Sequence, residues 1–224
     1  MKYKTCVSIG ERNSKKIIPL LKKALLKSEY AEIRLDFVRP SEVPNILEDV
    51  GKKISRCVCT LRPKNEGGQF SGRENERISI LKLISEYNPF LLDIEFNTLK
   101  KDQKLRQYLK KSNTDILVSW HDFKKTPSMD RLNSRLTEMK KFSNFIKIVT
   151  VSKSISDTSR ILSLYNKSSK IKLVAFAMGE QARFSRILCL HLGSPYTYVS
   201  LGKAIAPGQF SLDEIKSFQY FAKI

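Results

Sequence analysis

The chain repeats one local pattern eight times: a short β-branched or apolar run, then a longer amphipathic stretch. The runs fall at Thr5–Ile9, Ala31–Leu35, Arg56–Leu61, Phe90–Glu95, Asp115–Trp120, Phe145–Thr150, Lys172–Ala177 and Tyr196–Leu201. Helical patterning occupies 14–28, 41–50, 73–87, 99–110, 127–142, 154–168, 180–190 and 211–222. Helix starts are marked by Ser14, Ser41 with Pro44, Ser71 with Glu74, Thr126 before Pro127, and a Ser211/Glu214 capping box. Parallel strands need a crossover of a dozen or more residues, usually a helix. Eight such units without a long linker predict a single closed parallel (β/α)8 barrel over residues 1–224. A doubly wound open sheet shares the alternation, and only the placement of polar residues separates the two.

Composition narrows the function. An apolar fraction of 41% supplies a core, and no run of about 18 apolar residues is present to span a bilayer. The first residues run straight into a strand without a signal-peptide stretch, so cytoplasmic residence is expected. Cys6, Cys57, Cys59 and Cys189 read as reduced, mostly buried thiols, because the C-x-C spacing is neither a redox pair nor a zinc pair. With two histidines in the chain, a metal site is not expected. The formal charge of +19 invites a polyanion-binding reading. The lysine pairs, however, scatter over helix faces and connections and no nucleic-acid-binding motif accompanies them. Solvated surface is the expected meaning, with no specific nucleic-acid partner.

In a barrel of this class, active-site groups lie at the carboxyl ends of strands and face inward. Side chains alternate along a strand, so parity identifies which residues share a face. Ser8 ends the first unit. Glu32, Arg34 and Asp36 share a face in the second, and Thr60 and Arg62 in the third. Asp93 and Glu95 follow in the fourth, Ser119 and His121 in the fifth, and Lys147 in the sixth. Phe176 and Met178 close the seventh, with Arg186 in the next helix. The repeated parity predicts ionisable groups converging on one axis, with opposite charges compensating each other. Two loops add to this: Arg62–Gly68, whose paired glycines allow a tight turn and whose Glu66 can swing over the barrel mouth, and Ala204–Gln209 after the eighth strand.

Lys147 carries the chemistry. It sits in Phe-Ile-Lys-Ile-Val-Thr, with apolar neighbours on both faces. Burial disfavours the charged ammonium, and a neutral amine attacks carbonyls to form a Schiff base. The iminium is an electron sink that acidifies the neighbouring C–H, and His121, one unit earlier, suits the role of general acid/base. Arg62 and Arg186 suit a substrate carboxylate, and Glu32 and Gln209 suit hydroxyls. A small polyhydroxylated keto acid fits. His191 lacks such company and is expected to be packed or capping. A class I aldolase would use the same barrel and lysine; the arginines and the histidine favour dehydration.

These residues resemble the type I 3-dehydroquinate dehydratases. The resemblance rests on E-I-R-L-D (32–36), T-L-R-P-K-N-E-G-G (60–68), D-I-E (93–95), S-W-H-D-F (119–123), K-I-V-T (147–150), A-M-G…S-R (177–186) and A-P-G-Q-F-S (206–211), in order over nearly the whole chain. It implies a (β/α)8 barrel, a homodimer, and no metal or cofactor. It also implies syn dehydration of 3-dehydroquinate to 3-dehydroshikimate through an imine, the third step of the shikimate pathway of aromatic amino-acid biosynthesis. By position Lys147 is the Schiff-base lysine, His121 the general acid/base, and Glu66 the loop carboxylate that partners or orients it. Ser8, Glu32, Arg34, Arg62, Arg186 and Gln209 are implied substrate contacts, and Asp93 and Glu95 hold the basic groups. One position departs: where the family commonly has a serine for the substrate carboxylate, this chain has Ile205, so either a backbone N–H substitutes there or substrate affinity is weaker, with the reaction class unchanged.

Overall fold

The computed structural model describes residues 3–202 and 204–221. The strands are β1 (Thr5–Ile9), β2 (Tyr30–Arg34), β3 (Cys57–Thr60), β4 (Leu91–Glu95), β5 (Ile116–Asp122), β6 (Phe145–Val151), β7 (Lys172–Met178), β8 (Thr197–Ser200) and the two-residue β9 (Phe210–Ser211). The helices are α1 (Ser14–Lys27), α2 (Val43–Val50), α3 (Glu74–Glu86), α4 (Phe96–Lys101), α5 (Gln103–Leu109), α6 (Met129–Met139), α7 (Ile155–Leu162), α8 (Ser185–His191) and α9 (Leu212–Phe221). The strand order is β7-β6-β5-β4-β3-β2-β1-β8-β9. Within it β2–β3, β3–β4, β6–β7, β1–β8 and β8–β9 pair in parallel. Consecutive parallel strands joined by helices are the repeating unit of the (β/α)8 class.

The chain divides into two compact units, residues 8–117 and residues 118–224 with the first seven. In the first, α1 buries Ile17, Leu21 and Ala24, an i, i+4, i+7 stripe. β3 and β4 are buried along their whole length. In the second, α6 buries Leu132, Leu136 and Met139 at the same spacing, and every residue of β6 from Phe145 to Thr150 is buried. All four cysteines are buried and none is in a disulfide. Among the described residues no helix is long and apolar enough to cross a membrane, and no group of three acidic, histidine or cysteine side chains is placed to hold a metal ion.

The expected strands recur to within about two residues at each end; the helices differ at their termini and breaks. Asn13 rather than Ser14 caps α1, accepting from the Lys15 N–H at 3.1 Å, while Ser14 donates to Glu42 at 2.7 Å. The segment 99–110 is two helices, because Asp102 adopts an extended backbone and its carboxylate caps α5 at Leu105 N, 2.8 Å. Thr126 is no cap: its hydroxyl reaches Thr150 at 2.7 Å and the Val151 carbonyl at 3.0 Å. The Ser211/Glu214 capping box forms as expected, with Glu214 N to Ser211 Oγ at 3.2 Å and Ser211 N to Glu214 Oε2 at 2.7 Å. The last residue of the expected 211–222 helix lies outside the described residues.

Candidate active site

Within residues 8–117 the β2–β3–β4 register aligns Glu32 with Val58, Arg34 with Thr60, and Thr60 with Asp93. In parallel strands aligned residues face the same way, so Arg34, Thr60 and Asp93 of three consecutive strands share a face. Glu32 is buried and accepts from Ser8 Oγ at 2.8 Å and Thr60 Oγ1 at 2.9 Å, one hydroxyl on each oxygen. Arg62, also buried, donates from Nη2 to Asp93 at 2.7 Å and from Nη1 to Glu95 at 2.8 Å. Burial alone would lower its pKa, but Asp93, Glu95 and Glu32 together outweigh that and hold it above the ordinary value.

Arg34 and Asp36 depart from simple strand parity. β2 ends at Arg34 and Asp36 lies in a 3-10 turn, so the two meet as a fork, Nε to Oδ1 at 2.9 Å and Nη2 to Oδ2 at 2.7 Å. Asp36 also accepts from Gln69 N at 2.9 Å, which makes the pair an anchor for the loop after β3. That loop folds on its own backbone: Phe70 N donates to Arg62 O at 3.1 Å, Lys64 N to Phe70 O at 3.2 Å, and Gly68 N to Pro63 O at 3.0 Å. A Cβ on Gly68 would stand 2.0 Å from the Arg62 carbonyl oxygen, so only glycine fits there. Glu66, at the crest, accepts from Asn97 Nδ2 at 3.1 Å. Burial, then the nearby Glu95 charge, pushes its carboxyl above the usual range, a direction that suits a group exchanging protons.

Within residues 118–224, β6 carries Lys147, 7% exposed, with Nζ 4.2 Å from the Tyr198 ring centroid. The β6–β7 register sets Lys147, Val149 and Val151 opposite Val174, Phe176 and Met178. The lysine therefore shares its face with Phe176 and Met178. Arg186, only 2% exposed, lies over the same Phe176 ring at 4.2 Å. Its Nη2 donates to the Pro207 carbonyl at 3.1 Å, while Nε finds no acceptor among the described residues. Burial lowers its pKa to about 10. A desolvated guanidinium with an unfilled donor is built to receive an anion. His121 is the penultimate residue of β5, its ring stacked on Phe123 at 5.8 Å.

A sequence model of the type I 3-dehydroquinase family matches residues 5–224. The chain belongs to that family. A 3-dehydroquinate dehydratase of Methanococcus maripaludis (strain C7) is 35% identical over 214 residues, 94% of this chain and 96% of the relative. The crystal structure of the Aquifex aeolicus 3-dehydroquinate dehydratase superposes with a TM-score of 0.80 at 26% identity, over 97% of this chain and 98% of that one. That of the Geobacillus kaustophilus dehydratase reaches 0.89 at 20% identity, over 100% and 92%. The fold is the (β/α)8 barrel expected from the sequence.

Measured against the residues expected for a type I 3-dehydroquinase, the two units hold two sets. Ser8, Glu32, Arg34, Arg62 and Glu66 belong to the first unit, and His121, Lys147, Arg186, Ile205 and Gln209 to the second. The Ile205 N–H, expected as the substitute donor for the substrate carboxylate, is committed elsewhere: it donates to Gln209 Oε1 at 3.2 Å. His191 is tied to Tyr3, whose hydroxyl lies 2.6 Å from Nε2, at the end of α8. Two buried residues escaped the sequence reading. Tyr198 reads only as an aromatic strand residue, and its i, i+2 partner Tyr196 was the available signal. Arg77, 1% exposed, lies in the polar first turn of α3 and reads as surface.

Proposed function

We propose that the chain dehydrates 3-dehydroquinate to 3-dehydroshikimate by syn elimination through a Schiff base on Lys147. The observation that carries this is Lys147 itself, buried in a strand with apolar neighbours on both sides, against the Tyr198 ring and on the face of Phe176, over which Arg186 lies. Its amine adds to the substrate ketone and water leaves, forming an iminium. His121 removes the proton from the adjacent carbon, the electron pair drains into the iminium, and the resulting enamine expels the hydroxyl one carbon further. His121 returns its proton to that hydroxyl, and hydrolysis of the imine releases product and lysine. Arg186 and Arg62 take the carboxylate, Glu32, Ser8 and Gln209 the hydroxyls, and Glu66 orients His121. Arg34 acts as a substrate contact through the donors its fork to Asp36 leaves over.

In this reading residues 1–224 are one catalytic domain acting in the cytoplasm as a homodimer, in the third step of the shikimate pathway. It uses no metal or cofactor, because the lysine supplies the electron sink. Four buried thiols outside any disulfide accord with a reducing compartment. The test is to mix protein with 3-dehydroquinate, add borohydride, and measure intact and peptide mass. A ligand-sized increment on Lys147 is expected; a folded protein without one overturns the mechanism. Sedimentation at micromolar protein tests the dimer, and a monomer at that concentration rejects it.

A further inference from the structure

We infer that Arg77 is a positioning residue for Arg62, acting through Glu95; this rests on the reading of Arg62 as a carboxylate-binding group. An arginine has five N–H donors in a fixed fork, and Arg77 engages them all. Nε and Nη2 hold the two Glu74 oxygens at 2.9 and 2.7 Å, and Nη2 also holds Thr98 Oγ1 at 2.6 Å. Nη1 holds Glu95 Oε2 at 2.6 Å and the Leu61 carbonyl at 3.4 Å. The other Glu95 oxygen takes Arg62 Nη1 at 2.8 Å. Glu95 is thus a bridge between two guanidiniums, one in the candidate site and one in the first turn of α3.

Two consequences follow. With Arg77 in place, both Glu95 oxygens have a donor and the carboxylate has one orientation, so the plane of the Arg62 fork is fixed by Asp93 on one side and Glu95 on the other. Without it, a buried carboxylate oxygen loses its partner and Glu95 turns to chelate Arg62 with both oxygens, rotating the fork. The second consequence is electrostatic. Arg62 and Arg77 together face Asp93, Glu95 and the exposed Glu74, so removing Arg77 adds one uncompensated negative charge beside the group that must receive an anion. Only an arginine satisfies the five acceptors, since a lysine has a single nitrogen.

The test is a double-mutant cycle in 3-dehydroquinate turnover with Arg77→Met, Arg62→Ala and both together. Arg77→Met is expected to raise KM roughly tenfold with kcat nearly kept, because it removes binding rather than chemistry. In the Arg62→Ala background the same substitution is expected to change nothing further. Equal effects in both backgrounds, or a fall in kcat at unchanged KM, would overturn the inference. If Arg77→Met does not fold, Glu74→Ala serves, since Glu74 is 59% exposed and its loss frees two of the five donors from outside. It is expected to raise KM about two- to threefold, and only when Arg62 is present; an unchanged KM rejects the role. Borohydride trapping on the unmodified protein keeps the two questions apart. If wild type traps substrate and the cycle is additive, only the positioning role fails. If wild type neither traps nor turns over substrate, the functional reading fails and this inference with it.

Discussion

Arg186 gives the sharpest quantitative prediction, because the structure makes it costly to the empty protein. Its burial lowers the guanidinium pKa from the usual arginine value to about 10. At about 1.4 kcal/mol per tenfold change, that is about 3 kcal/mol of unfavourable desolvation in the folded state. The sign is that of a base with a depressed folded pKa: the unfolded chain holds the proton more tightly. The cost is therefore constant at neutral pH, and stability recovers only as pH rises through about 10. Against it stand the bond to Pro207 and the contact with Phe176, together about 2 kcal/mol. Arg186→Met, similar in length and apolar, is then expected to make the ligand-free protein about 1 kcal/mol more stable, raising Tm by about 2–4 °C. The same change removes a buried, charge-assisted carboxylate contact, which costs about 2–5 kcal/mol of binding, or roughly 30- to 4,000-fold in affinity. Urea unfolding at pH 7 with and without 3-dehydroquinate reads both numbers: substrate should stabilise wild type and not the variant. A variant less stable than wild type in the absence of substrate would refute the reasoning, since the guanidinium would then already be satisfied by the protein.

Lys147→Ala should abolish dehydration while the fold survives, checked by activity and circular dichroism; retained turnover would eliminate the imine mechanism. His121→Ala should slow turnover by roughly 10²–10⁴-fold while borohydride still traps the adduct, and loss of trapping would move the histidine to imine formation itself. Glu66 titrates above the ordinary carboxylate range because of burial and Glu95. A raised acid costs stability as pH climbs through its folded pKa, so Glu66→Gln should flatten both that decline and the acid limb of the kcat/KM profile; an unaltered profile contradicts this. Gly68→Ala sets a methyl 2.0 Å from the Arg62 carbonyl, so chemical denaturation should show a loss of at least about 1–3 kcal/mol. An unperturbed midpoint would mean the loop has another conformation.

The strands were legible because their signal is local. Thr5–Ile9 recurs with the same bounds, and Lys147 was found because an ionisable residue between apolar neighbours is conspicuous on any face. Boundaries set by competition for hydrogen bonds were not. Asp102 reads as one more polar helix residue until its carboxylate is seen capping α5, and Asn13 displaces Ser14 by the same kind of contest. Parity also failed where a strand stopped early. Asp36 was placed beside Arg34 for sharing a face, yet the two meet because a 3-10 turn folds one back on the other. Arg77 was invisible for a different reason: its buried partners Glu95, Thr98 and the Leu61 carbonyl lie sixteen to twenty-one residues away and outside its own helix.

The loop after β3 also bears on how such a protein can change over time. Barrel enzymes commonly acquire new specificities by lengthening or shortening the connections at the carboxyl ends of their strands. Between Arg62 and Phe70 that route is closed. Five backbone hydrogen bonds and an obligatory glycine fix the spacing, and the Asp36 contact to Gln69 fixes the phase. An inserted residue shifts Glu66 and breaks the arch together. Drift in substrate preference is therefore expected to accumulate in side chains rather than in loop length here.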